Sequence, residues 1–353
     1  MRLGLVGYGV GGRYFHAPFI AATPGIELVG IVARSAAKKH EIANDLPGVA
    51  VFDSLTDLLA AGVDAVTIST PPQTRSALVL EAIAAGVHVV ADKPFAPTAE
   101  AGRELVDAAA AAGVILNVFH NRRWDADLRT VAAVIDSGRL GTIWRVHSRF
   151  DLDDAPGLLR GPAGGMLRDL GSHTVDQMIW LLGRVERVSC HLDWTEEADP
   201  ADRTDAGFVA VLDHVGGAVS YVSSTKLNRL VQREFRVYGS GGSYVASGTD
   251  VQAQAIFAGR RPADDPVSWG YDDEAHWGVL RTSDGAEIVA SAKGDHGEFY
   301  RRFAAAVDNG GDSPVPADAA LHTLAVLDAA RSAALEKRTV DVLDPEILVS
   351  AAN

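Results

Sequence analysis

Four stretches of the chain carry residue types whose spacing could do chemistry. Gly7-Tyr8-Gly9-Val10-Gly11-Gly12 is a G-x-G-x-x-G turn, set directly after a strand pattern and before a helical one. In such a turn the first glycine permits the tight bend, the second lets a pyrophosphate approach the backbone, and the third lets helix and strand pack closely. The exposed N–H groups and dipole of the following helix then receive the phosphates. Ala33-Arg34-Ser35 ends the next strand pattern, with Lys38 and Lys39 just behind and no carboxylate to accept from a ribose 2′-hydroxyl. A guanidinium and a hydroxyl suit a 2′-phosphate better, so NADP is favoured over NAD. Were Arg34 only to stack on the adenine ring, both would serve. Thr70-Pro71-Pro72 and Asp92-Lys93-Pro94 follow the carboxyl ends of further strand patterns, where open α/β sheets bind ligands. Finally, Asp169 and His173 lie four residues apart in a helical stretch and so share one face. Taken alone, such a pair is more often a surface or capping pair than a catalytic one.

The elements that must position these residues come in two styles. Up to residue 120, short β-branched runs (3–6, 28–32, 65–69, 87–91 and 114–118) alternate with helical stretches near 11–22, 38–44, 54–61, 77–85 and 100–112. That alternation means parallel βαβ units with right-handed crossovers. Beyond residue 121 come a helix (128–137), a strand (142–149), a Gly/Pro-rich loop and a helix (166–182). Strands then dominate to about 288, with a hairpin around Val215-Gly216-Gly217, and helices at 298–308 and 318–336 close the chain. The expected fold is α/β. Residues 1–121 form a doubly wound parallel sheet of Rossmann type, and residues 122–353 an α+β substrate-binding domain with a large, mostly antiparallel open sheet. There are no internal repeats.

Bulk properties narrow the class. The chain has 353 residues, 47% hydrophobic and 22% charged, with a formal net charge of −14, which suits a two-domain globular protein. Without a long basic run, nucleic acid is not an expected partner. The lone Cys190 excludes an internal disulfide and a cysteine-based zinc site, and its strand-like surroundings suggest packing. The start goes straight into a strand pattern with no signal-peptide architecture, and no apolar run reaches bilayer length. A cytoplasmic enzyme without a membrane or metal partner is expected.

From Gly7 to Lys93 the chain resembles the Gfo/Idh/MocA oxidoreductases, whose members show a G-x-G turn, a T-P segment and an E-K-P signature. Here Asp92 replaces the usual Glu. The segment Gly164-Gly165-Met166-Leu167-Arg168-Asp169-Leu170-Gly171-Ser172-His173 is similar to the family's G-G-x-x-x-D-x-G-x-H. The resemblance implies that Lys93, Asp169 and His173 are catalytic and that the peptide before Pro94 is cis. A hydride leaves a carbinol carbon only as the hydroxyl proton departs; His173 is suited to take that proton, and the Lys93 ammonium to steady the alkoxide. Asp169 would anchor a substrate hydroxyl or fix the His173 tautomer. The runs Gly12-Arg13-Tyr14-Phe15-His16-Ala17-Pro18 and Phe119-His120-Asn121-Arg122-Arg123-Trp124-Asp125 resemble the NADP-linked scyllo-inositol dehydrogenases of the family. They imply that Asn121, Arg123 and Trp124 line the nicotinamide end, although Trp124 serves equally well as a packing anchor. His16 reads as a buried, satisfied histidine rather than a second acid/base.

An NAD(P)-dependent dehydrogenase acting on a sugar, inositol or related cyclic polyol is therefore expected. By analogy it would self-associate as a homodimer or homotetramer through the outer face of the second sheet. A non-catalytic cofactor-binding regulator and an NAD-dependent glycosidase are the alternatives; retention of Lys93, Asp169 and His173 speaks against the first. Three departures fall where substrate should lie. Arg75 stands where the family often has His, the loop from Asp151 to Arg160 is short and acidic, and Arg168 replaces an apolar or aromatic residue.

Overall fold

The computed structural model describes residues 1–161, 164–196 and 203–343. Its first sheet contains β1 (Arg2–Val6), β2 (Glu27–Val32), β3 (Ala50–Phe52), β4 (Ala65–Ile68), β5 (His88–Ala91) and β6 (Leu116–Val118), in the order β3-β2-β1-β4-β5-β6. Every pairing is parallel. This is the doubly wound order that places a ligand where the strand order reverses, beyond β1. Leu3, Leu5, Ile31, Val66, Ile68, Val89 and Val90 are fully enclosed, each worth roughly 1.5–3 kcal/mol of burial, which explains why these strands read as continuous apolar runs.

The helices around this sheet are α1 (Ala17–Ala21, entered through a π-helical turn Gly11–His16), α2 (Ala36–Asp45), α3 (Leu55–Ala60), α4 (Pro72–Ala84) and α5 (Ala99–Ala112). Ser35, Ser54 and Thr98 cap α2, α3 and α5 by accepting from the N–H three residues on, each cap worth about 1 kcal/mol. α4 begins five residues before the expected 77, because Pro72 cannot donate and its fixed φ suits a first helical position. β3 carries no sequence signal of its own, because one exposed and two half-buried residues give no alternation to read.

The second sheet contains β7 (Ile143–Asp151), β8 (Val185–Trp194), β9 (Asp205–His214), β10 (Val219–Thr225), β11 (Gln232–Gly239), β12 (Gly242–Ala246), β13 (Gly278–Thr282), β14 (Gly285–Val289) and β15 (Val340–Asp341), ordered β14-β13-β12-β11-β7-β10-β9-β8-β15. Among the described residues only β7 and β10 of this sheet pair in parallel. The β9–β10 hairpin turns at Val215–Gly217, where Gly217 has φ +85°, a value β-branched residues do not tolerate. Helices α6 (Ala126–Asp136) and α8 (Gly171–Leu182) pack on one face. Val209, Val211, Tyr221, Tyr238, Val245 and Ile288 lie on the other, exposed or half-buried.

The remaining helices are α7 (Met166–Asp169), α9 (Val251–Phe257), α10 (Gly297–Asn309) and α11 (Ala317–Glu336). Two expectations change here. The single helix 166–182 is broken at Leu170 into α7 and α8, and α9 interrupts the strand-dominated stretch. One compact unit comprises Met1–Asn121, Gln252–Trp269 and Asp295–Ala320, and the other comprises Arg122–Val251, Gly270–Gly294 and Leu321–Asn353. The boundary expected after residue 121 is thus the first of several crossings. Among the described residues no helix is long and apolar enough to cross a membrane.

Candidate active site

The glycine turn packs against the segments that follow β4 and β5. Gly7 has φ +99°, and a Cβ there would lie 2.4 Å from the Ser69 carbonyl oxygen. A Cβ on Gly12 would lie 2.1 Å from the Gly7 carbonyl oxygen, and one on Gly11 2.5 Å from Ser69 Oγ and 2.8 Å from Asp92 Oδ2. These three glycines are demanded by packing. Gly9 differs, because a Cβ there would meet nothing within 4 Å, and the neighbouring Val10 is 64% exposed. Open space before the second glycine, at the start of a helix, is what a dinucleotide pyrophosphate needs. Below the turn, Arg13 donates to Asp45 (2.6 and 3.1 Å) and Glu41 (3.1 Å), and Tyr8 donates to Asp45 at 3.0 Å. Burial, then Asp45, push the Tyr8 phenol well above its ordinary value.

At the end of β2, Ala33 is buried and bonded to β3. The three polar groups expected to meet a 2′-phosphate fare differently. Ser35 Oγ accepts from Lys38 N (3.3 Å) as the cap of α2, and Lys38 Nζ is paired with Glu41 at 2.8 Å. Arg34 is exposed, with no side-chain hydrogen bond among the described residues.

Asp92 follows β5 at the heart of the first unit. Its Oδ2 accepts from Ser69 Oγ at 2.8 Å, and its Oδ1 from Lys93 N at 2.8 Å. His16 Nε2 stands 3.4 Å from Oδ2. Burial alone would raise the Asp92 carboxyl, but His16, Arg75 and Lys93 together hold it well below the usual carboxylate range. His16 is fully buried against Phe119, with Nδ1 2.6 Å from Tyr300 Oη, which in turn lies 3.3 Å from Thr67 Oγ1. His16 is thus buried, as the sequence suggests, but only its Nδ1 is hydrogen-bonded; Nε2 faces Asp92 without a hydrogen bond. The Lys93–Pro94 peptide is cis. Arg75 is not a substrate-facing replacement for His: it is buried, donating to the carbonyls of Pro94 and Thr70, and so ties the two loops after β4 and β5 together. Burial lowers its pKa. Asn121 Nδ2 lies 3.3 Å from His296 Nδ1. No local pattern marks Tyr300, Ser69 or His296, whose partners lie far off in sequence.

In the second unit the glycine pair seats α7. A Cβ on Gly164 would fall 2.0 Å from the Leu159 carbonyl oxygen, and one on Gly165 (φ +95°) 2.2 Å from Asp205 Oδ1. Asp205 accepts from Leu167 N (2.7 Å) and Arg331 (2.8 Å). Asp169 closes α7, its Oδ2 accepting from Lys226 Nζ at 2.7 Å. His173 is buried in the first turn of α8. Arg123, expected at the cofactor, gives its fork to Asp176 on α8 (2.8 and 2.7 Å); Trp124 is buried. Arg168 is mostly buried, which lowers its pKa, and its electrostatic neighbours are Arg331, Asp328 and Asp205 rather than Lys226. Behind these residues Arg122 and Arg233 flank the Phe150 ring and hold Asp125, Asp127 and Asp250. Burial raises the Cys190 thiol to about 12, as suits a packing residue.

Comparison with known proteins agrees with this architecture. The Gfo/Idh/MocA oxidoreductase family matches twice, its NAD-binding Rossmann fold over residues 1–120 and its C-terminal alpha/beta domain over residues 132–342. The chain is 35% identical over 351 residues to the uncharacterized oxidoreductase YdgJ of Escherichia coli, covering 96% of this chain and 98% of that one. It is 30% identical over 355 residues to the scyllo-inositol 2-dehydrogenase (NADP(+)) IolW of Bacillus subtilis, covering 96% and 95%. The solved structure of the yvaA oxidoreductase from Bacillus subtilis superposes with a TM-score of 0.88 at 30% identity, covering 97% of this chain and 99% of that one. The open turn at Gly9, the β3-β2-β1-β4-β5-β6 order and these matches over nearly the whole chain have one meaning: the protein belongs to the Gfo/Idh/MocA family and is an NAD(P)-dependent oxidoreductase.

Proposed function

We propose that the enzyme transfers a hydride between NADP and the hydroxyl or carbonyl carbon of a sugar, an inositol or a related cyclic polyol. The observation that carries this reading is the joint retention of Lys93 after β5 and of Asp169 and His173 on consecutive helices, an ammonium, a carboxylate and an imidazole that a regulator would not need. The printed activity of the Bacillus subtilis inositol dehydrogenase supports the polyol class, and exposed Arg34 with no acid at the tip of β2 supports NADP.

Gly7, Gly9, Val10, Gly11 and Gly12 would hold the pyrophosphate, with Thr70, Pro71 and Asp92 bordering the same turn; Arg34 would take the 2′-phosphate. When bound, the dinucleotide supplies the hydride acceptor. In the oxidative direction His173 takes the substrate hydroxyl proton, Lys93 donates to the same oxygen as negative charge builds, and Asp169 accepts from a substrate hydroxyl and orients the ring. Reduction reverses each transfer. Self-association uses the outer face of the second sheet, where Tyr221 stacks on His147 at 4.6 Å amid the exposed valines and Ile288.

Mixing the protein with NADP or NAD and a panel of inositols and aldoses, while following the reduced nicotinamide, tests the reading. Turnover abolished by Lys93→Met and by His173→Ala is expected. NADP binding without turnover on any polyol, or full activity in either variant, would refute it. A monomeric mass by light scattering would remove the association.

A further inference from the structure

We infer that Lys226 is a positioning residue: its ammonium sets the charge and place of Asp169 and pins the loop that borders it. Lys226 follows β10, and its side chain is only 7% exposed. Nζ donates to Asp169 Oδ2 at 2.7 Å and to the Gly157 carbonyl oxygen at 3.0 Å, with Asp154 Oδ2 3.9 Å away. The backbone repeats the tie, since Asp154 N donates to the Lys226 carbonyl at 3.2 Å and Leu152 N to that of Thr225 at 2.9 Å. One buried cation therefore joins α7 to the short acidic loop of residues 151–160.

A buried ammonium is costly unless it is paired and hydrogen-bonded, so this one fixes its partners firmly. Lys226 after β10 meets Asp169 directly, Asp154 of the loop lies 3.9 Å from the same ammonium, and His173 follows four residues along the chain. The Lys226 ammonium favours the ionised carboxyl of Asp169. Removing it leaves Asp169 harder to ionise. The acid limb of the pH–rate profile, where activity needs that carboxylate, then moves to higher pH. Substrate binding suffers as well, because the loop loses its anchor.

The inference rests on the reading of Asp169 as a substrate ligand, and two measurements separate the failures. With a substrate from the polyol panel, Lys226→Met should lower kcat/KM roughly 100-fold, the scale set by misplacing a binding group by about 1 Å. KM should rise, and the acid limb should move up by about one pH unit or more. Lys226→Arg should restore most of the limb position. Independently of any substrate, protein labelled with 13Cγ-aspartate, with the Asp169 signal assigned by its loss in Asp169→Asn, should show that signal titrating at higher pH in Lys226→Met and in Lys226→Gln. If Asp169→Asn is fully active, the substrate role of Asp169 falls. If the Asp169 signal titrates identically with and without Lys226, or if Lys226→Met keeps the wild-type pH profile and KM, the positioning role is overturned.

Discussion

Cofactor choice offers the sharpest test, because the structure sets Arg34 apart from the other candidate groups. Ser35 Oγ accepts in the cap of α2 and Lys38 pairs with Glu41, whereas Arg34 is the exposed guanidinium at the tip of β2 with no such partner among the described residues, and so the group best placed to meet a 2′-phosphate. A charge-assisted hydrogen bond is worth about 1.5–3 kcal/mol. Arg34 is exposed, so water and salt weaken it to the lower end of that range and below, about 1–2 kcal/mol. Arg34→Ala should therefore raise KM for NADP roughly 5- to 30-fold. The value of kcat at saturating NADP should stay near wild type, because the lost contact is made equally in the ground and transition states. KM for NAD should barely change, since its ribose carries no phosphate there. Arg34→Asp should swing preference further, repelling the phosphate while offering a carboxylate to the 2′-hydroxyl. Initial rates with both cofactors at two salt concentrations give the numbers, and the NADP penalty should shrink as ionic strength rises. An NADP/NAD ratio in Arg34→Ala within about twofold of wild type would refute the argument and return Ser35 and Lys38 to consideration.

Two further expectations follow from local geometry. Gly9→Ala adds a Cβ to open space and should melt like wild type but gain less from added NADP, whereas Gly12→Ala drives a Cβ to 2.1 Å from the Gly7 oxygen and should lose about 1–3 kcal/mol even without cofactor. Melting curves with and without NADP decide, and equal behaviour of the two variants would contradict the cradle. Arg233→Met strips Asp127 and Asp125 of their main partner and should cost about 3–5 kcal/mol of stability. Burial already raises the Asp127 carboxyl, with Asp125 adding and Arg233 opposing. An acid whose native pKa lies above its unfolded one costs stability as pH rises, so the loss should be larger at about pH 8 than at about pH 5. Denaturant curves showing a smaller deficit at the higher pH would contradict this.

The sequence shows those features that local chemistry dictates. The glycine turn, the βαβ alternation, the Val215–Gly217 hairpin and the loop after β5 each depend on residues within a few positions of one another. What stayed hidden depends on partners brought in by tertiary structure. The sequence shows the position of Arg75 but not the aim of its fork; in the fold it donates to the Thr70 and Pro94 carbonyls. His16 finds Tyr300 across 284 positions, and Asp169 finds Lys226 across 57. β3 and the break at Leu170 escaped for a related reason. One exposed and two half-buried residues carry no period, and a helix interrupted by a single residue keeps its apolar spacing.

This asymmetry has a consequence for reading relatives of the fold. The motifs show where an ammonium, a carboxylate and an imidazole stand, but their ionisation and aim are set by residues that belong to no motif. His16, Arg75 and Lys93 favour the ionised form of Asp92 against the cost of burial, and Lys226 pairs with Asp169 beside a loop that differs from the family pattern. Replacing Arg75, Tyr300 or Lys226 would leave every signature intact while shifting the charge or position of the group it supports. A chain of this kind could thus keep its signatures and lose its turnover, and the loss would first be visible as a displaced pH profile rather than as a failure to bind the dinucleotide.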